Sequence, residues 1–259
     1  MIADFISADY GWLKGQDGHS ARVILRPRSN QDGYFTNSDV IKQALKAMEI
    51  MREQYPNEDH VLIFDNACTH SKCADDALSA IKMLKGPKLG WEVSVTARDE
   101  SGAVIYQPNG KPKMETKHMV NLIWNSQIQH LYCPDDHPEY PGYFKGMAKL
   151  LEEQGYDTTG LYAQCDKFKC QGTTAQCCCC NILFHLDNFL NIKSILQTHC
   201  KVSGFGILFL PKFHCELNFI EQVWGYSKSI MNPLSSKVED VEINSQKTLG
   251  SIPITTMHW

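Results

Sequence analysis

Three acidic residues lie in or beside predicted strands and helices although they are far apart in the chain: Asp4, Asp65 and Glu221. Carboxylate oxygens are the ligands that Mg²⁺ and Mn²⁺ prefer, so three such groups could together hold divalent cations. The chain contains 29 acidic residues, and by position alone these three do not differ from solvated or helix-capping carboxylates. The surrounding sequence therefore decides whether they form a site.

Cysteines form a second candidate site. Cys165 and Cys170 precede four consecutive cysteines at 177–180, a C-x4-C-x6-CC pattern with enough thiolates for a tetrahedral zinc site. Consecutive cysteines cannot all point to one metal, so we expect at most two of the four to be ligands. Few apolar residues between 157 and 180 could order that loop without a metal, although several cysteines could instead be small buried hydrophobic residues. The candidate zinc ligands are Cys165, Cys170, Cys177, Cys178, His199 and Cys200.

The elements that must position the acidic residues alternate between strand and helix. The apolar run at 61–64 ends in Asp65, which predicts a buried strand whose C-terminal tip presents a carboxylate, where the sites of α/β proteins commonly lie. A helix is predicted to begin with Asn37 or Ser38 as its N-cap. The predicted elements are strands at 2–12, 21–25 and 33–36, a helix from 38 that stops before Pro56, a strand at 61–64, a short helix at 74–84, a strand at 205–210 and an amphipathic helix at 217–231.

Two sequence blocks resemble the second and third catalytic blocks of mariner-type DDE transposases. They are IFDNACTH at 63–70 and LPKFHCELNFIEQVWGYSK at 210–228. In that family a strand ends in Asp-Asn with a His a few residues later, and a Leu-Pro stretch leads through Leu-Asn-Pro-Ile-Glu to Trp and Lys. The matching positions are Asp65, Asn66, His70, Leu210, Pro211, Leu217, Asn218, Ile220, Glu221, Trp224 and Lys228.

The resemblance, which covers roughly residues 1–85 and 204–231, implies a fold and a reaction. The implied fold is an α/β, ribonuclease H-like mixed sheet flanked by helices, and the reaction is DNA cleavage and strand transfer with two Mg²⁺ or Mn²⁺ ions. The implied catalytic and metal-binding acids are Asp4, Asp65 and Glu221, with Asp9 as an alternative to Asp4. The implied supporting residues are Asp9, Asn66, His70, Asn218 and Lys228.

The chain departs from the family pattern in three respects. Phe219 stands where the family has a proline, which alters the entry of the last helix without touching the carboxylate. Asp65 and Glu221 are much farther apart in sequence than in many relatives, because residues 86–203, whose composition differs from that of the flanking segments, are predicted to form a cysteine-rich insertion inside a catalytic domain formed by 1–85 and 204–259. Met1 lies almost at the first catalytic strand, so the resemblance predicts a truncated chain that lacks the family's upstream helix-turn-helix region.

The amino-acid composition restricts the cellular compartments and the binding partners that are expected for the chain. The formal net charge is −4, so nucleic-acid contact must be local rather than spread over a basic surface. No apolar run approaches the roughly 20 residues of a membrane span, and the N-terminal residues do not resemble a signal peptide. The 11 cysteines favour a reduced compartment. Together with the resemblance, this predicts a nuclear protein whose partners are transposon ends, target DNA and further copies of itself, with no membrane association.

Two other functions compete with the transposase hypothesis. One is a catalytically inactive transposase remnant with a zinc-stabilised role in binding DNA or protein. The other is a phosphatase-like metallohydrolase that uses Asp65 on small phosphomonoesters. Metal-dependent nicking of DNA would distinguish the transposase hypothesis from both of these alternatives.

Overall fold

The computed structural model describes residues 1–26, 32–100, 104–170, 176–230 and 238–256. The chain forms two units: unit 1 comprises Met1–Lys72 and Lys193–Trp259, and unit 2 comprises Cys73–Ile192. Unit 2 thus interrupts unit 1 in sequence, as the insertion predicted at 86–203 does, but with different bounds.

The secondary structure alternates short strands with helices. The strands are β1 (Ile2–Ala3), β2 (Ile6–Ser7), β3 (Gly11–Trp12), β4 (Val23–Ile24), β5 (Val61–Phe64), β6 (Lys88–Leu89), β7 (Val93–Thr96), β8 (Met114–Lys117), β9 (Leu122–Trp124), β10 (Gln127–Gln129), β11 (Tyr143–Phe144) and β12 (Gly206–Phe209). The helices are α1 (Asn37–Gln54), α2 (Met147–Glu153), α3 (Cys179–Phe184), α4 (Asp187–Leu190), α5 (Ile195–Val202), α6 (Phe219–Ile230) and α7 (Val238–Ser251). Single 3₁₀ turns lie at Ala80–Lys82, Asp166–Phe168, Cys215–Leu217 and Ile254–Thr256.

Helix α1 begins one residue earlier than the sequence indicated. Thr36, rather than Asn37 or Ser38, is the N-cap, and its hydroxyl accepts a hydrogen bond from the Asp39 N–H while the Asp39 carboxylate accepts one from the Thr36 N–H. This capping box satisfies backbone donors that the first helical turn leaves free. The helix buries its apolar face at Val40, Ala44 and Met48.

Strands β5 and β12 form a parallel pair, in register from Val61 opposite Gly206 to Phe64 opposite Phe209. The predicted strand at 61–64 is confirmed, but only one of its faces is buried. Val61 and Ile63 are exposed, whereas Leu62 and Phe64 are buried. This alternation is typical of a strand that covers a core with one face only.

Helix α5 connects to β12 and contributes to the same core. Its Leu196 and Cys200 are buried together with residues of α1 and β5. Because this packing ties α5 to unit 1, unit 2 ends at Ile192, before the end of the predicted insertion at 203.

The first strands form two short antiparallel pairs, β1 with β4 and β2 with β3. Residues 33–36, predicted as a strand, form none. The Trp12 indole N–H donates to the Leu249 carbonyl over 2.9 Å, which joins β3 to α7, a helix that the sequence did not predict. The apolar cluster between these pairs and helices α6 and α7 contains Ile2, Ile6, Trp12, Phe219, Val223, Trp224, Leu249 and Ile252.

Unit 2 has its own hydrophobic core, in which helices α2 and α3 meet short hairpins. Phe144, Leu150 and Leu183 are completely buried there, and the Trp91 ring lies 4.0 Å from that of Phe144, centroid to centroid. The helix predicted at 74–84 is reduced to the 3₁₀ turn at Ala80–Lys82.

The α/β class is therefore confirmed. Within the described ranges each sheet contains two strands. Of the helices that the structure describes, none is both long and apolar enough to cross a membrane.

Candidate functional site

A cavity of about 1080 Å³ in unit 1 is lined by all three acids that the sequence singled out, Asp4, Asp65 and Glu221. Asp4 follows β1, Asp65 follows β5 directly, and Glu221 lies in the first turn of α6. Acids from three separate parts of the chain therefore line one cavity.

Glu221 is positioned by the apolar side of α6. Val223 is buried, and with Trp224 it belongs to one cluster with Ile2 and Ile6 of the first strands. Glu221 itself is exposed. The contacts of α6 with β1 and β2 thus bring Glu221 to the cavity that Asp4 also lines.

Asp4 is almost fully buried and is already engaged. Its carboxylate accepts a hydrogen bond from the Arg22 Nε–H over 2.5 Å and another from the Phe5 N–H over 2.8 Å. The Arg22 guanidinium lies 5.0 Å from the centre of the Trp12 ring. Burial raises the pKa of Asp4, while Arg22 acts in the opposite direction. The ionised form of Asp4 is therefore less favourable in the folded chain than in water.

This pKa shift predicts how Asp4 affects stability. A carboxyl whose folded-state pKa is raised contributes stability below its unfolded pKa, and that contribution is lost as the pH rises through the folded pKa. We therefore expect the urea midpoint of Asp4→Asn, relative to that of the wild type, to rise as the pH increases from 4 to 7, because only the wild type has a carboxyl to ionise at this position. Urea denaturation between pH 4 and 7 measures it.

Asp17→Asn provides a control of opposite sign. The His19 backbone N–H donates to the Asp17 carboxylate over 3.0 Å and lowers the pKa of Asp17. This variant should therefore lose stability at pH 7, and the loss should shrink at low pH. A stability of Asp4→Asn relative to the wild type that stays constant or falls between pH 4 and 7 would contradict the interpretation of Asp4.

Asp65 and His70 form a second local pair. The Nδ1 atom of His70 contacts the Asp65 carboxylate and lies 3.1 Å from the Asp65 backbone oxygen. The His70 ring also lies 5.1 Å from the Phe64 ring, centroid to centroid. His70 is thus placed to orient Asp65 at the tip of β5.

The structure brings most of the supporting residues to the same cavity. Asp9, His70, Asn218 and Lys228 line it, whereas Asn66 does not. Both Asp4 and Asp9 are lining residues, so the cavity does not distinguish between these two candidates for the first acid. The Asn218 carbonyl accepts a hydrogen bond from the Glu221 N–H over 2.9 Å.

The lining is predominantly acidic. Glu58 and Asp59 add to the acids already named, against Lys228 and two histidines. Such a cavity attracts cations and would repel a phosphate backbone without them. The oxygen donors suit Mg²⁺ or Mn²⁺. Their ligand atoms do not converge, however, because across the described ranges the only sufficiently close group of three or more potential ligands consists of cysteines. In the arrangement that the structure shows, the acids that line this cavity are therefore not close enough together to hold one ion.

The group that does converge is the cysteine cluster, formed by Cys165, Cys170, Cys177 and Cys178 in unit 2. Their sulfur atoms all lie within 4.8 Å of one another. The Sγ atoms of Cys165 and Cys177 are 3.3 Å apart, and those of Cys170 and Cys178 are 3.9 Å apart. A disulfide requires about 2.05 Å, so these thiols are free. The cluster could hold a metal such as zinc.

Two candidate zinc ligands do not belong to this group. His199 and Cys200 lie on α5 of unit 1, where His199 is exposed and Cys200 is buried in the core. Cys200 thus behaves as a small hydrophobic residue, an alternative that the sequence left open. Cys179 and Cys180 are likewise buried, in the core of unit 2. Of the four consecutive cysteines, the converging group includes Cys177 and Cys178.

The thiols of the cysteine cluster affect one another's protonation. Hydrogen bonding to Cys177 raises the pKa of Cys165 to about 11, and burial raises the pKa of Cys170. The hydrogen bond from Cys165 lowers the pKa of Cys177. Cys177 is therefore more readily deprotonated than Cys165 and Cys170.

Sequence reasoning missed Arg22 as the partner of Asp4. The β1–β4 register places Ile2 opposite Ile24 and Ala3 opposite Val23, and its continuation places Asp4 opposite Arg22. A signal was thus present, because the two predicted strands could have been aligned as a hairpin.

Comparison of the chain with protein-family models, curated proteins and solved structures found no match.

Proposed function

We propose that unit 1 is the catalytic domain of a mariner-type DDE transposase, which cleaves DNA and transfers strands with two Mg²⁺ or Mn²⁺ ions. The observation that carries this proposal is the shared cavity of Asp4, Asp65 and Glu221. The proposed partner is DNA, together with further copies of the chain, and the proposed location is the nucleus.

The element order of unit 1 supports a ribonuclease H-like arrangement. Short antiparallel strands precede α1, and the parallel pair β5–β12 is followed by α6. This is the order expected from the resemblance, with the second acid at a strand tip and the third on the last helix. This arrangement of strands and helices would hold the carboxylates on rigid elements, as the binding of a cation pair requires.

Asp65, Glu221 and either Asp4 or Asp9 would hold the cations. When bound, such a pair activates water or a 3′-hydroxyl and stabilises the leaving oxygen of the phosphodiester. Charge neutralisation by cations would also remove the cost that burial imposes on the Asp4 carboxylate.

The neighbouring residues orient these acids and the DNA. His70 holds the Asp65 side chain at the tip of β5, and Asn218 fixes the backbone of Glu221 at the start of α6. Lys228, which lines the cavity, is suited to a phosphate oxygen, a contact that positions DNA without specifying sequence.

An inactive remnant is the second candidate, and a specific observation favours it. The Asp4 carboxylate is occupied by Arg22, and the three acids do not converge around one point in this structure. If Arg22 does not release Asp4 when cations and DNA are present, and Asp9 does not replace it, the cavity cannot assemble the cation pair. The chain would then bind DNA or protein without cutting it.

Nicking of supercoiled plasmid DNA tests the proposal. Incubation with Mn²⁺ or Mg²⁺ should convert the plasmid to open circles, EDTA should prevent the conversion, and Asp65→Ala should abolish it. DNA binding without nicking, unchanged in Asp65→Ala, would favour the remnant. Hydrolysis of p-nitrophenyl phosphate without nicking would favour the phosphatase-like alternative.

A further inference from the structure

We propose that the cysteine cluster binds one structural Zn²⁺ through the sulfurs of Cys165, Cys170, Cys177 and Cys178. This site lies in unit 2, shares no residue with the proposed catalytic cavity, and does not depend on the proposed function. Zinc at this site would join the cysteine-containing loop to helix α3 and so order a part of unit 2.

The sulfur positions suit a tetrahedral ion. Zn–S bonds of about 2.3 Å place tetrahedral sulfurs roughly 3.8 Å apart. Two of the sulfur–sulfur distances, 3.3 and 3.9 Å, lie on either side of that value, and all four sulfurs lie within 4.8 Å of one another. All four sulfurs are therefore close enough to one another to be ligands of a single ion.

Backbone pairing brings the two halves of the site together. Tyr162 bridges to Cys178 in parallel register. The N–H groups of Cys179 and Cys180 donate to the carbonyls of Tyr162 and Ala163 over 2.9 and 3.0 Å. Cys165 and Cys170 follow shortly after this segment in the sequence, and Cys177 and Cys178 directly precede α3. The convergence thus results from the fold of unit 2, not from an isolated loop.

The loop between the first two ligands is one that a metal would stabilise. Lys167 and Phe168 both have positive φ, 48° and 56°, which is unfavourable for residues other than glycine. Phe168 is exposed, so its side chain does not compensate through burial. Bonds from Cys165 and Cys170 to one ion would hold both ends of this turn.

The surroundings of Cys178 also suit a thiolate ligand. The Asn181 N–H donates to the Cys178 sulfur over 3.4 Å. A backbone donor of this kind stabilises sulfur-bound charge and fixes the ligand's direction. The two following cysteines are buried in the core of unit 2, which anchors the ligand pair. With four protein thiolates, the coordination shell is complete and leaves no position for a substrate, as in structural zinc sites.

Zinc content and cysteine labelling test the site on the full chain, purified without chelator. Native mass spectrometry should find one zinc per chain, and iodoacetamide should modify the four cluster cysteines only after zinc is removed. Cys68, which is exposed and free, should be labelled before and after. Labelling uses the unaltered chain, so it does not depend on whether variants fold.

Variants then identify the ligands. Cys165→Ser/Cys178→Ser should lose at least tenfold in zinc affinity, and Cys68→Ser/Cys133→Ser, with two free cysteines outside the cluster, should retain one zinc. Absence of zinc from the wild-type chain, iron or a disulfide in its place, or equal labelling with and without chelator would overturn the proposal. None of these outcomes bears on DNA nicking, so zinc binding and the proposed function can fail separately.

Discussion

Glu221→Gln is expected to reduce metal-dependent DNA nicking by on the order of 10³-fold or more, with the unfolding midpoint unchanged. Glu221 is exposed and lines the cavity, so the amide removes a negative oxygen donor without disturbing the core. A hard cation binds a neutral amide much less strongly than a carboxylate. Initial nicking rates at fixed Mn²⁺ concentration measure the effect.

The matched control is Glu216→Gln. Glu216 lies five positions before Glu221 in sequence, is exposed, and pairs with His214 over 2.7 Å, but it does not line the cavity. Its replacement should leave nicking unchanged.

The double variant Asp65→Asn/Glu221→Gln should lose no more activity than either single variant, because ligands of one cation pair act as a unit. Losses that multiply in the double variant would mean that the two carboxylates act independently.

The local elements of the site could be predicted because short apolar patterns encode them. The run at 61–64 predicted β5 and its terminal carboxylate, and the spacing of apolar residues predicted α1. Helix α6 was also expected, since its apolar positions share one face. In each case side chains only a few residues apart determine the element.

Pairings between distant segments could not be predicted in the same way. The ion pair of Asp4 with Arg22 depends on the β1–β4 register, and the position of Cys200 depends on α5 packing against α1. The cysteine pattern predicted a metal site, but it could not separate Cys178 from Cys200, because both are near other potential ligands in sequence. Only the fold shows that Cys200 belongs to a different core.

Removal of zinc is expected to have the largest effect on the stability of unit 2. A ligand that binds only the folded state stabilises it by about 4 kcal/mol when its free concentration is 1,000 times its dissociation constant. Chelation should therefore allow local unfolding around the cysteine cluster. Hydrogen–deuterium exchange should become faster at the amides of Cys179 and Cys180, which pair with Tyr162 and Ala163.

Strand β5 provides the internal control for this experiment. Strand β5 pairs with β12 in unit 1. The core that β5 helps to form contains none of the four proposed zinc ligands. Exchange at Leu62 and Phe64 should be the same with and without chelator. Unchanged exchange at Cys179 and Cys180 after complete zinc removal would show that the cysteine cluster does not depend on metal for its order.

Anomalous diffraction from crystals of the chain soaked in Mn²⁺ tests the central claim most directly. We expect anomalous peaks in the cavity, roughly 2.1 Å from carboxylate oxygens of Asp65 and Glu221, with the Arg22 side chain withdrawn if Asp4 is the third ligand. A contact to Asp9 instead would identify the alternative first acid. Absence of any peak in the cavity, or Mn²⁺ bound to neither Asp65 nor Glu221, would contradict the two-metal proposal.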